Sequence, residues 1–304
     1  MSLQPGTIVA VTGASGFVGR EVTAALRARG ARPIALGRDA ARPFGDDVET
    51  RVFDPSGGPN PQAFAGADAV IHLAGESVSG RWTPEKKRRI ADSRIAGTQT
   101  LAASLRELAR RPAVLVCASA VGYYGDRGDE PLTESAGPGS DFLAGVCVAW
   151  EAASAQCETF GIRTVQMRSG VALGRDGGAL AQMKRPFEFF AGGPLGTGRQ
   201  FVPWIDVRDL ASLYCFAIER ETLRGAVNAV APESATNARF AHALGAALHR
   251  PSLLPAPAIA LRLALGEFAQ TVLGGQRAVP KAALDAGFTW AHPRLEADLL
   301  DLLG

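Results

Sequence analysis

Short apolar runs alternate with longer segments of helical periodicity through the first half of the chain. A short apolar run between turn residues indicates a buried strand, whereas apolar residues at every third or fourth position indicate a helix. The pattern predicts strands at 7–11, 33–36, 51–53, 69–73, 113–117 and 164–167, and helices at 16–29, 83–109 and 141–160. This alternation predicts an α/β fold, a Rossmann-like doubly wound parallel sheet with helices on both faces.

The second half of the chain is less regular. The pattern predicts one strand at 227–230, helices at 179–190, 206–220, 236–249 and 294–303, and a mostly helical stretch at 255–273. Because open α/β sheets bind ligands beyond the carboxyl ends of their strands, we expect these pieces to form a smaller C-terminal substrate lobe over that edge. The predicted division is a Rossmann domain at 1–170 and a lobe at 171–304. One or two segments at about 200–230 return to the Rossmann domain.

Composition and charge exclude several classes of protein. The 304 residues include 32 basic and 30 acidic side chains and carry a net charge of +2, so no nucleic-acid partner is expected. No apolar run reaches about 18 residues, so we expect no membrane span. The four cysteines are widely spaced and the N-terminus lacks a secretion signal, which predicts reduced thiols and a cytoplasmic location. None of the four histidines has metal-ligand spacing, so no metal site is expected.

The segment Thr12-Gly13-Ala14-Ser15-Gly16-Phe17-Val18-Gly19 joins the first strand to the first helix. Gly13 permits a tight turn, Gly16 allows close approach of a pyrophosphate, and Gly19 lets the helix pack on the strand. The free N–H groups at the helix N-terminus favour phosphate. The spacing is G-x-x-G-x-x-G, and a glycine-rich turn without a ligand is the alternative interpretation. The strand before and the helix after favour a nucleotide site.

The second strand ends in Leu36-Gly37-Arg38-Asp39, where an NAD site usually has an acidic residue. A guanidinium at Arg38 suits a 2′-phosphate, which favours NADP over NAD. A solvated surface arginine is the alternative, and Asp39 keeps NAD open. Asp54, after the third strand, is placed to accept a hydrogen bond from an adenine amino group. The alternative is that its side chain only stabilises the turn before Pro55.

Further along, ordered motifs include Ile71-His72-Leu73-Ala74-Gly75-Glu76, Arg81-Trp82, Ser93-Arg94, Gly122-Tyr123-Tyr124-Gly125, Trp150-Glu151, Arg168-Ser169-Gly170-Val171 and Pro203-Trp204-Ile205. With the glycine loop, they resemble the extended, epimerase-like branch of the short-chain dehydrogenase/reductase superfamily. The resemblance runs nearly end to end and is strongest to the atypical YfcH-type NAD-dependent epimerase/dehydratase family.

This resemblance implies a Rossmann fold, an NADP-type cofactor and a C-terminal substrate lobe. The implied cofactor contacts are Gly13, Ser15, Gly16, Phe17, Val18, Gly19, Gly37, Arg38, Leu73, Ala74, Gly75, Arg94 and Val171, with Asp54 added from its position. By analogy with the superfamily, the helices at 84–109 and 141–160 also suggest a homodimer built on a four-helix bundle.

The chain departs from the superfamily at the catalytic residues. A Tyr-x-x-x-Lys pair normally transfers a proton and holds the nicotinamide ribose, but Leu143 and Cys147 stand at these positions. The partner Ser/Thr falls at Ala120, next to Ser119. Ser119, Tyr123 and Glu76 are therefore the candidate proton-handling groups. As alternatives, Ser119 bonds only the backbone, and Glu76 pairs with Arg81 or Arg94.

Three side chains are candidate substrate contacts. Trp82 and Trp204 could form a platform, although core packing is the alternative for at least one of them. Arg199, in a glycine-rich loop, could clamp an anionic group or be an ordinary surface residue. Two functions stay open. One is an NADP-dependent oxidoreductase or epimerase acting on a small polar substrate, with a sugar-like compound as one candidate. The other is a non-catalytic NADP-binding sensor or scaffold.

Overall fold

The central layer is a parallel β-sheet, seen in a computed structural model of the chain that describes residues 2–38 and 48–304. The strands, in chain order, are β1 Ile8–Thr12, β2 Arg32–Gly37, β3 Glu49–Val52, β4 Ala69–His72, β5 Val114–Ala120, β6 Pro131–Leu132, β7 Arg163–Ser169, β8 Val171–Leu173, β9 Phe201–Val202, β10 Trp204–Asp206, β11 Gly225–Ala229, β12 Ala235–Thr236 and β13 Arg277–Ala278. Seven of them form the main sheet in the order β11-β7-β5-β4-β1-β2-β3. The prediction of a doubly wound Rossmann-like fold is confirmed.

Helices connect the strands and cover both faces of the sheet. They are α1 Phe17–Ala28, α2 Pro84–Arg106, α3 Phe142–Ala155, α4 Leu180–Glu188, α5 Val207–Glu219, α6 Asn237–Ala247, α7 Ala258–Leu265, α8 Ala269–Leu273, α9 Lys281–Asp285 and α10 Leu295–Leu303. As predicted, Thr83 caps α2 by accepting from the backbone N–H of Lys86, and Pro84 occupies its first position. No helix of the described residues has both the length and the apolar character needed to cross a membrane.

Two apolar layers hold the helices to the sheet. On one face, α1 and α5 pack together and bury Val22, Leu26 and Leu210 against the strands. On the other face, α2 and α3 bury Leu101 and Trp150. Each large side chain removed from water in this way contributes about 1.5–3 kcal/mol. The sandwich therefore fixes the carboxyl ends of the parallel strands at one rigid edge.

The C-terminal half both returns to the sheet and forms a smaller core of its own. Helix α5 lies in a Rossmann layer, and β11 pairs with β7 at the edge of the main sheet. The lobe core gathers α6, α10 and the side chains of Leu173, Phe187 and Trp204. Three short strand pairs, β8–β10, β9–β12 and β6–β13, lie outside the main sheet, and β6–β13 links a segment of the first half of the chain to the C-terminal part. The sequence pattern did not predict these pairs.

Two predicted helices end differently from the sequence expectation. The segment 141–160 forms α3 only to Ala155 and continues as a 3-10 turn, Gln156–Phe160. The stretch 255–273 is broken at Gly266, which has a φ of 61° and separates α7 from a 3-10 turn and α8. In this region of backbone conformation glycine is favoured because it lacks a Cβ atom.

Candidate functional site

The glycine loop folds so tightly that side chains would not fit at two of its positions. Gly13 has a φ of 69°, and a Cβ atom there would lie 2.9 Å from the backbone nitrogen of Ala74. A Cβ atom on Gly19 would lie 2.1 Å from the carbonyl oxygen of Gly13. At Gly16 the nearest atom would be 3.2 Å away, so that position is less crowded. The loop therefore brings β1, β4 and α1 closer together than other residues allow.

The N-terminus of α1 keeps its capacity to bind an anion. Gly16 is the N-cap and provides no side-chain hydrogen bond, and the first turn contains no acidic residue. The ring of Phe17 packs against the glycines of the loop after β8, where a Cβ atom on Gly178 would lie 2.6 Å from the ring. Val18 packs into the core, and the backbone N–H of Gly16 donates to the Gly13 carbonyl at 3.0 Å, so the N–H groups of the first turn of α1, from Phe17 onward, are those without an intrahelical partner. These groups suit a pyrophosphate.

A buried histidine fixes the neighbouring end of β4. His72 Nδ1 lies 2.6 Å from Thr12 Oγ1, and His72 Nε2 lies 3.0 Å from Thr98 Oγ1. Thr12 Oγ1 accepts from the backbone N–H groups of Leu73 and Ala74, so the hydroxyl of Thr12 donates to Nδ1 and Nε2–H donates to Thr98. Burial, followed by the charge of Arg94, lowers the pKa of His72 to about 4, so the ring is neutral at pH 7.

The predicted contacts Gly75 and Arg94 lie against each other. A Cβ atom on Gly75 would lie 3.3 Å from Arg94 Cζ. Arg94 Nη1 donates to the carbonyl oxygen of Glu76 at 2.8 Å, and the guanidinium lies 5.1 Å from the centre of the Trp150 ring. Burial lowers the pKa of Arg94, although nearby thiol and carboxyl groups oppose this. The structure therefore places a largely desolvated cation beside the loop after β4.

The adenosine end of the predicted site contains Arg38 and Asp54. Arg38 is exposed and follows Gly37, the last residue of β2, which pairs with β3. Asp54 Oδ1 accepts from the backbone N–H of Ser56 at 3.0 Å and from its hydroxyl at 2.8 Å, so Asp54 serves the turn. These hydrogen bonds, with a smaller effect of Arg38, lower the pKa of Asp54. Asp39 lies outside the described residues.

A hydrogen-bonded chain occupies the place expected for catalysis. Ser119 Oγ donates to Glu151 Oε1 at 2.6 Å, and Arg168 donates to both oxygens of Glu151 at 2.8 Å. The guanidinium of Arg168 lies 3.4 Å from the centre of the Tyr123 ring and donates to the Tyr124 hydroxyl at 3.0 Å. Arg168 thus positions Tyr123 by stacking on its ring, and it positions Ser119 indirectly by fixing the Glu151 carboxylate. The alternative that Ser119 bonds only the backbone is wrong.

Glu151 and Arg168 were named in the sequence only as motif residues. Glu151 lies on α3 and Arg168 on β7, so their pairing is visible only in three dimensions. The available signal was an arginine within a predicted strand of the central sheet, because a buried arginine needs a carboxylate partner. The residues that replace the superfamily pair have other roles. Cys147 is buried, which raises the pKa of its thiol to about 12, and Leu143 packs near Gly122.

Glu76 is tied to the start of α2. Its carboxylate accepts from Lys86 Nζ at 2.7 Å and lies 3.8 Å from Arg89. The hydrogen bond from Lys86 lowers the pKa of Glu76. The alternative that Glu76 pairs with Arg81 or Arg94 is wrong, because its carboxylate pairs with Lys86 and Arg89. Arg94 donates only to the backbone carbonyl of Glu76. Glu76 is therefore an ionised carboxylate held by a lysine.

The predicted substrate contacts occupy different environments. Trp82 packs edge-on against Phe142 at 5.3 Å and against Phe268 at 5.8 Å, at the seam between the Rossmann layer and the lobe. Trp204 is 1% exposed and donates to the carbonyl of Glu233, so its side chain has the packing role. Arg199 is exposed in the glycine-rich loop, where its role as an anion clamp stays a prediction. Val171, a predicted cofactor contact, pairs with Trp204 through β8 and β10.

The parallel sheet, the three-glycine loop and the unneutralised N-terminus of α1 define a Rossmann dinucleotide-binding protein of the short-chain dehydrogenase/reductase type. The family model described as the NAD dependent epimerase/dehydratase family matches residues 9–229, and a domain of unknown function (DUF1731) matches residues 256–302. The chain belongs to the NAD-dependent epimerase/dehydratase family.

Relatives match this chain over nearly its full length. Epimerase family protein YfhF of Bacillus subtilis is 37% identical over 97% of this chain and 97% of its own length. The crystal structure of human epimerase family protein SDR39U1 with NADPH has a TM-score of 0.87 at 34% identity, covering 97% of this chain and 99% of that chain. A nucleoside-diphosphate sugar epimerase from Corynebacterium glutamicum has a TM-score of 0.79 at 34% identity, covering 98% of this chain and 58% of that chain.

Proposed function

We propose that this chain binds NADP(H) and acts as an oxidoreductase or epimerase on a small polar substrate of the sugar-like class. The observation that carries the proposal is the glycine loop, in which Gly13 and Gly19 leave no room for a Cβ atom and the N-terminus of α1 lacks a side-chain cap. NADPH is bound in the crystal structure of human SDR39U1, and a similar protein is named a nucleoside-diphosphate sugar epimerase. Both support the proposal.

The residues present fit a dinucleotide phosphate. The backbone N–H groups of the glycine loop would hold the pyrophosphate, Arg38 the 2′-phosphate, and Arg94 the ribose-phosphate portion nearest β4. NADP supplies the hydride acceptor, and the protein supplies position and charge.

A proton path starts at Ser119. A proton that leaves a substrate hydroxyl for Ser119 Oγ passes to Glu151 through the existing 2.6 Å hydrogen bond. Arg168 holds the Glu151 carboxylate in place on both oxygens. Tyr123, stacked on the same guanidinium, is the second candidate donor. The path requires no Tyr-x-x-x-Lys pair.

A non-catalytic NADP-binding sensor or scaffold is the second candidate function. The observation that favours it is the absence of the superfamily Tyr and Lys, whose positions hold Leu143 and the buried Cys147. A protein of this kind would keep the cofactor site and show no turnover. The two functions therefore differ in one measurable property.

The experiment combines cofactor binding with turnover. Nicotinamide fluorescence measures NADPH affinity, and oxidation of NADPH is then followed with a panel of keto-sugars and small carbonyl compounds. Ser119→Ala and Glu151→Gln should lower turnover at least tenfold, while NADPH affinity changes little. Tight NADPH binding without turnover on the panel would favour the sensor. A wild-type protein that does not bind NADPH would contradict both functions.

We also propose that the chain works in the cytoplasm. Its four cysteines are free and buried, as predicted for a reducing compartment. A plant relative is named as chloroplastic, so relatives occupy more than one compartment. Fractionation of cells carrying the tagged full-length chain tests the proposal, and enrichment in a membrane or secreted fraction would contradict it.

A further inference from the structure

Three side chains from distant parts of the chain converge where the C-terminal helix meets α5. Asp206 ends β10, Asp298 lies in α10, and His292 lies in the loop before α10. One oxygen of each carboxylate and one ring nitrogen of His292 all lie within 4.8 Å of one another. The side chains of Asp206 and Asp298 are fully buried, and His292 is partly exposed at the edge of the cluster.

The hydrogen bonding of this cluster is incomplete. Within the described part of the chain, neither carboxylate oxygen of Asp298 has a hydrogen-bond donor, although both are buried. His292 Nδ1 is also buried without a partner. A buried polar group without a partner costs about 1–3 kcal/mol, and native proteins keep few of them. Asp206 lies within hydrogen-bond distance of Asp298 and can share a proton with one of its oxygens, but the other oxygen and His292 Nδ1 still lack a partner among the described residues.

The charges of the cluster point to a positive partner. Arg208 Nη2 lies 2.7 Å from Asp206, 2.7 Å from Asp301 and 3.6 Å from Asp298, so one guanidinium serves three carboxylates. The distance of 3.6 Å to Asp298 is too long for a hydrogen bond, so this buried carboxylate lacks a close counter-charge.

We propose that Asp206, His292 and Asp298 bind one divalent transition-metal ion of the zinc class. An imidazole nitrogen with two carboxylate oxygens is a donor set that such ions accept, whereas magnesium prefers oxygen ligands alone. The ion provides the missing partner for Asp298 and for His292 Nδ1. Arg208 remains hydrogen-bonded to Asp206, as outer partners of ligating carboxylates commonly are.

The position of the site indicates a structural role. Asp206 lies within residues 9–229, and the other two ligands lie within residues 256–302, so the ion joins the two matched segments. Asp209 already holds the loop that carries His292, because it accepts from the backbone N–H groups of Ala291 and His292. A bound ion therefore ties α10 to α5 and leaves the glycine loop unaffected.

The test uses the full-length chain after treatment with a chelator. Native mass spectrometry and isothermal titration calorimetry with ZnCl₂ should show one ion per chain, and zinc should raise the unfolding temperature. MgCl₂ should do neither. Asp298→Asn and His292→Gln should each weaken zinc affinity about tenfold or more. Glu296→Gln is the matched control, because it removes one charge from an exposed ion pair on the same helix and should keep wild-type affinity.

Two results would overturn the proposal. One is a wild-type chain that binds no zinc at a ratio of one. The other is zinc affinity in Asp298→Asn and His292→Gln equal to that of Glu296→Gln, which would place the ion elsewhere. Circular dichroism confirms that each variant is folded. Asp298→Asn should fold because Asn has nearly the shape of a protonated Asp. His292→Gln should fold because His292 is partly exposed. The zinc affinity of either variant alone therefore tests the proposal.

Discussion

Single residues set the tightest constraints at the edge of the sheet. Gly13 and Gly19 belong to a local sequence motif, and the structure gives each a contact distance that excludes a Cβ atom. Arg38 is different, because it is exposed and its proposed role depends on a ligand. Substitution of Gly13 or Gly19 should therefore change both stability and cofactor binding, whereas substitution of Arg38 should change cofactor binding alone.

Gly19→Ala should destabilise the fold and weaken NADPH binding. The new methyl group would lie 2.1 Å from the Gly13 carbonyl, so the loop or α1 must move. We expect a loss of about 2 kcal/mol in the free energy of unfolding and at least tenfold in NADPH affinity. Urea unfolding and fluorescence titration measure the two. Gly16→Ala, with its nearest contact at 3.2 Å, is the milder control. Equal behaviour of both variants would contradict the packing argument.

Arg38→Asp should reverse the cofactor preference. Loss of a charge-assisted contact with the 2′-phosphate should weaken NADPH binding about tenfold or more. NADH, whose 2′-hydroxyl can donate to the new carboxylate, should bind as well as before or better. Titrations with both cofactors measure the ratio, and Arg262→Asp on exposed α7 provides the same charge change elsewhere. An unchanged ratio in Arg38→Asp would contradict the assignment of the 2′-phosphate to this residue.

At the scale of elements, β1, β4 and α2 are joined by one buried histidine. His72 bridges Thr12 of β1 and Thr98 of α2, and Thr12 in turn accepts from the backbone after β4. The contact with Thr12 requires a neutral ring, because Nδ1 accepts the hydrogen bond there and would be a donor in the protonated ring. The attachment of these elements should therefore depend on pH.

Acidification should lower stability through His72. Its pKa falls from an ordinary value of 6.5 to about 4 in the folded protein. The unfolded chain therefore binds a proton first as the pH drops, and the free energy of unfolding should fall between pH 6.5 and 4, by up to about 3 kcal/mol. Urea unfolding at pH 7 and pH 4.5 measures this. His72→Asn, which does not titrate, should be less stable at pH 7 but should show a smaller change. A change as large as that of the wild type would contradict the prediction.

The elements also show which parts of the fold were predictable from the sequence. A continuous apolar strand such as β4 and the capped start of α2 have local signals, and both were predicted. Strands of two residues, such as β6 and β13, exist only because distant segments pair, and no local pattern marks them. The site divides in the same way. The glycine loop is contiguous and was found, whereas the contact of Ser119 with Glu151 and Arg168 joins three elements and was not.

At the scale of the whole molecule, we propose that the exposed face of α3 forms the interface of the homodimer expected from the sequence. Val148 is 40% exposed, and Gly145 and Ala152 lie on the same exposed face of the helix. This face is small and apolar, so it suits close helix packing in the bundle expected from α2 and α3 of two copies.

Val148→Arg should convert a dimer into a monomer. The new guanidinium would be buried without a partner at the interface, which costs several kcal/mol. Size-exclusion chromatography with light scattering measures the mass at micromolar concentration. Leu300→Arg is the control, because Leu300 is 53% exposed on α10. A monomeric wild type, or the same mass for both variants, would contradict the proposed dimer.

The return of the chain to the main sheet has a consequence for how its gene can be divided. Strand β11 pairs with the outer edge of β7, and α5 lies beside α1 on the same face of the main sheet. Both elements come after the start of the lobe in the sequence. A product that stops near residue 170 would therefore have an open strand edge and an uncovered apolar face. Such surfaces lead to aggregation and proteolysis. The two halves should therefore function only together, and recombination between relatives should keep activity only where both crossover points spare this interleaved segment.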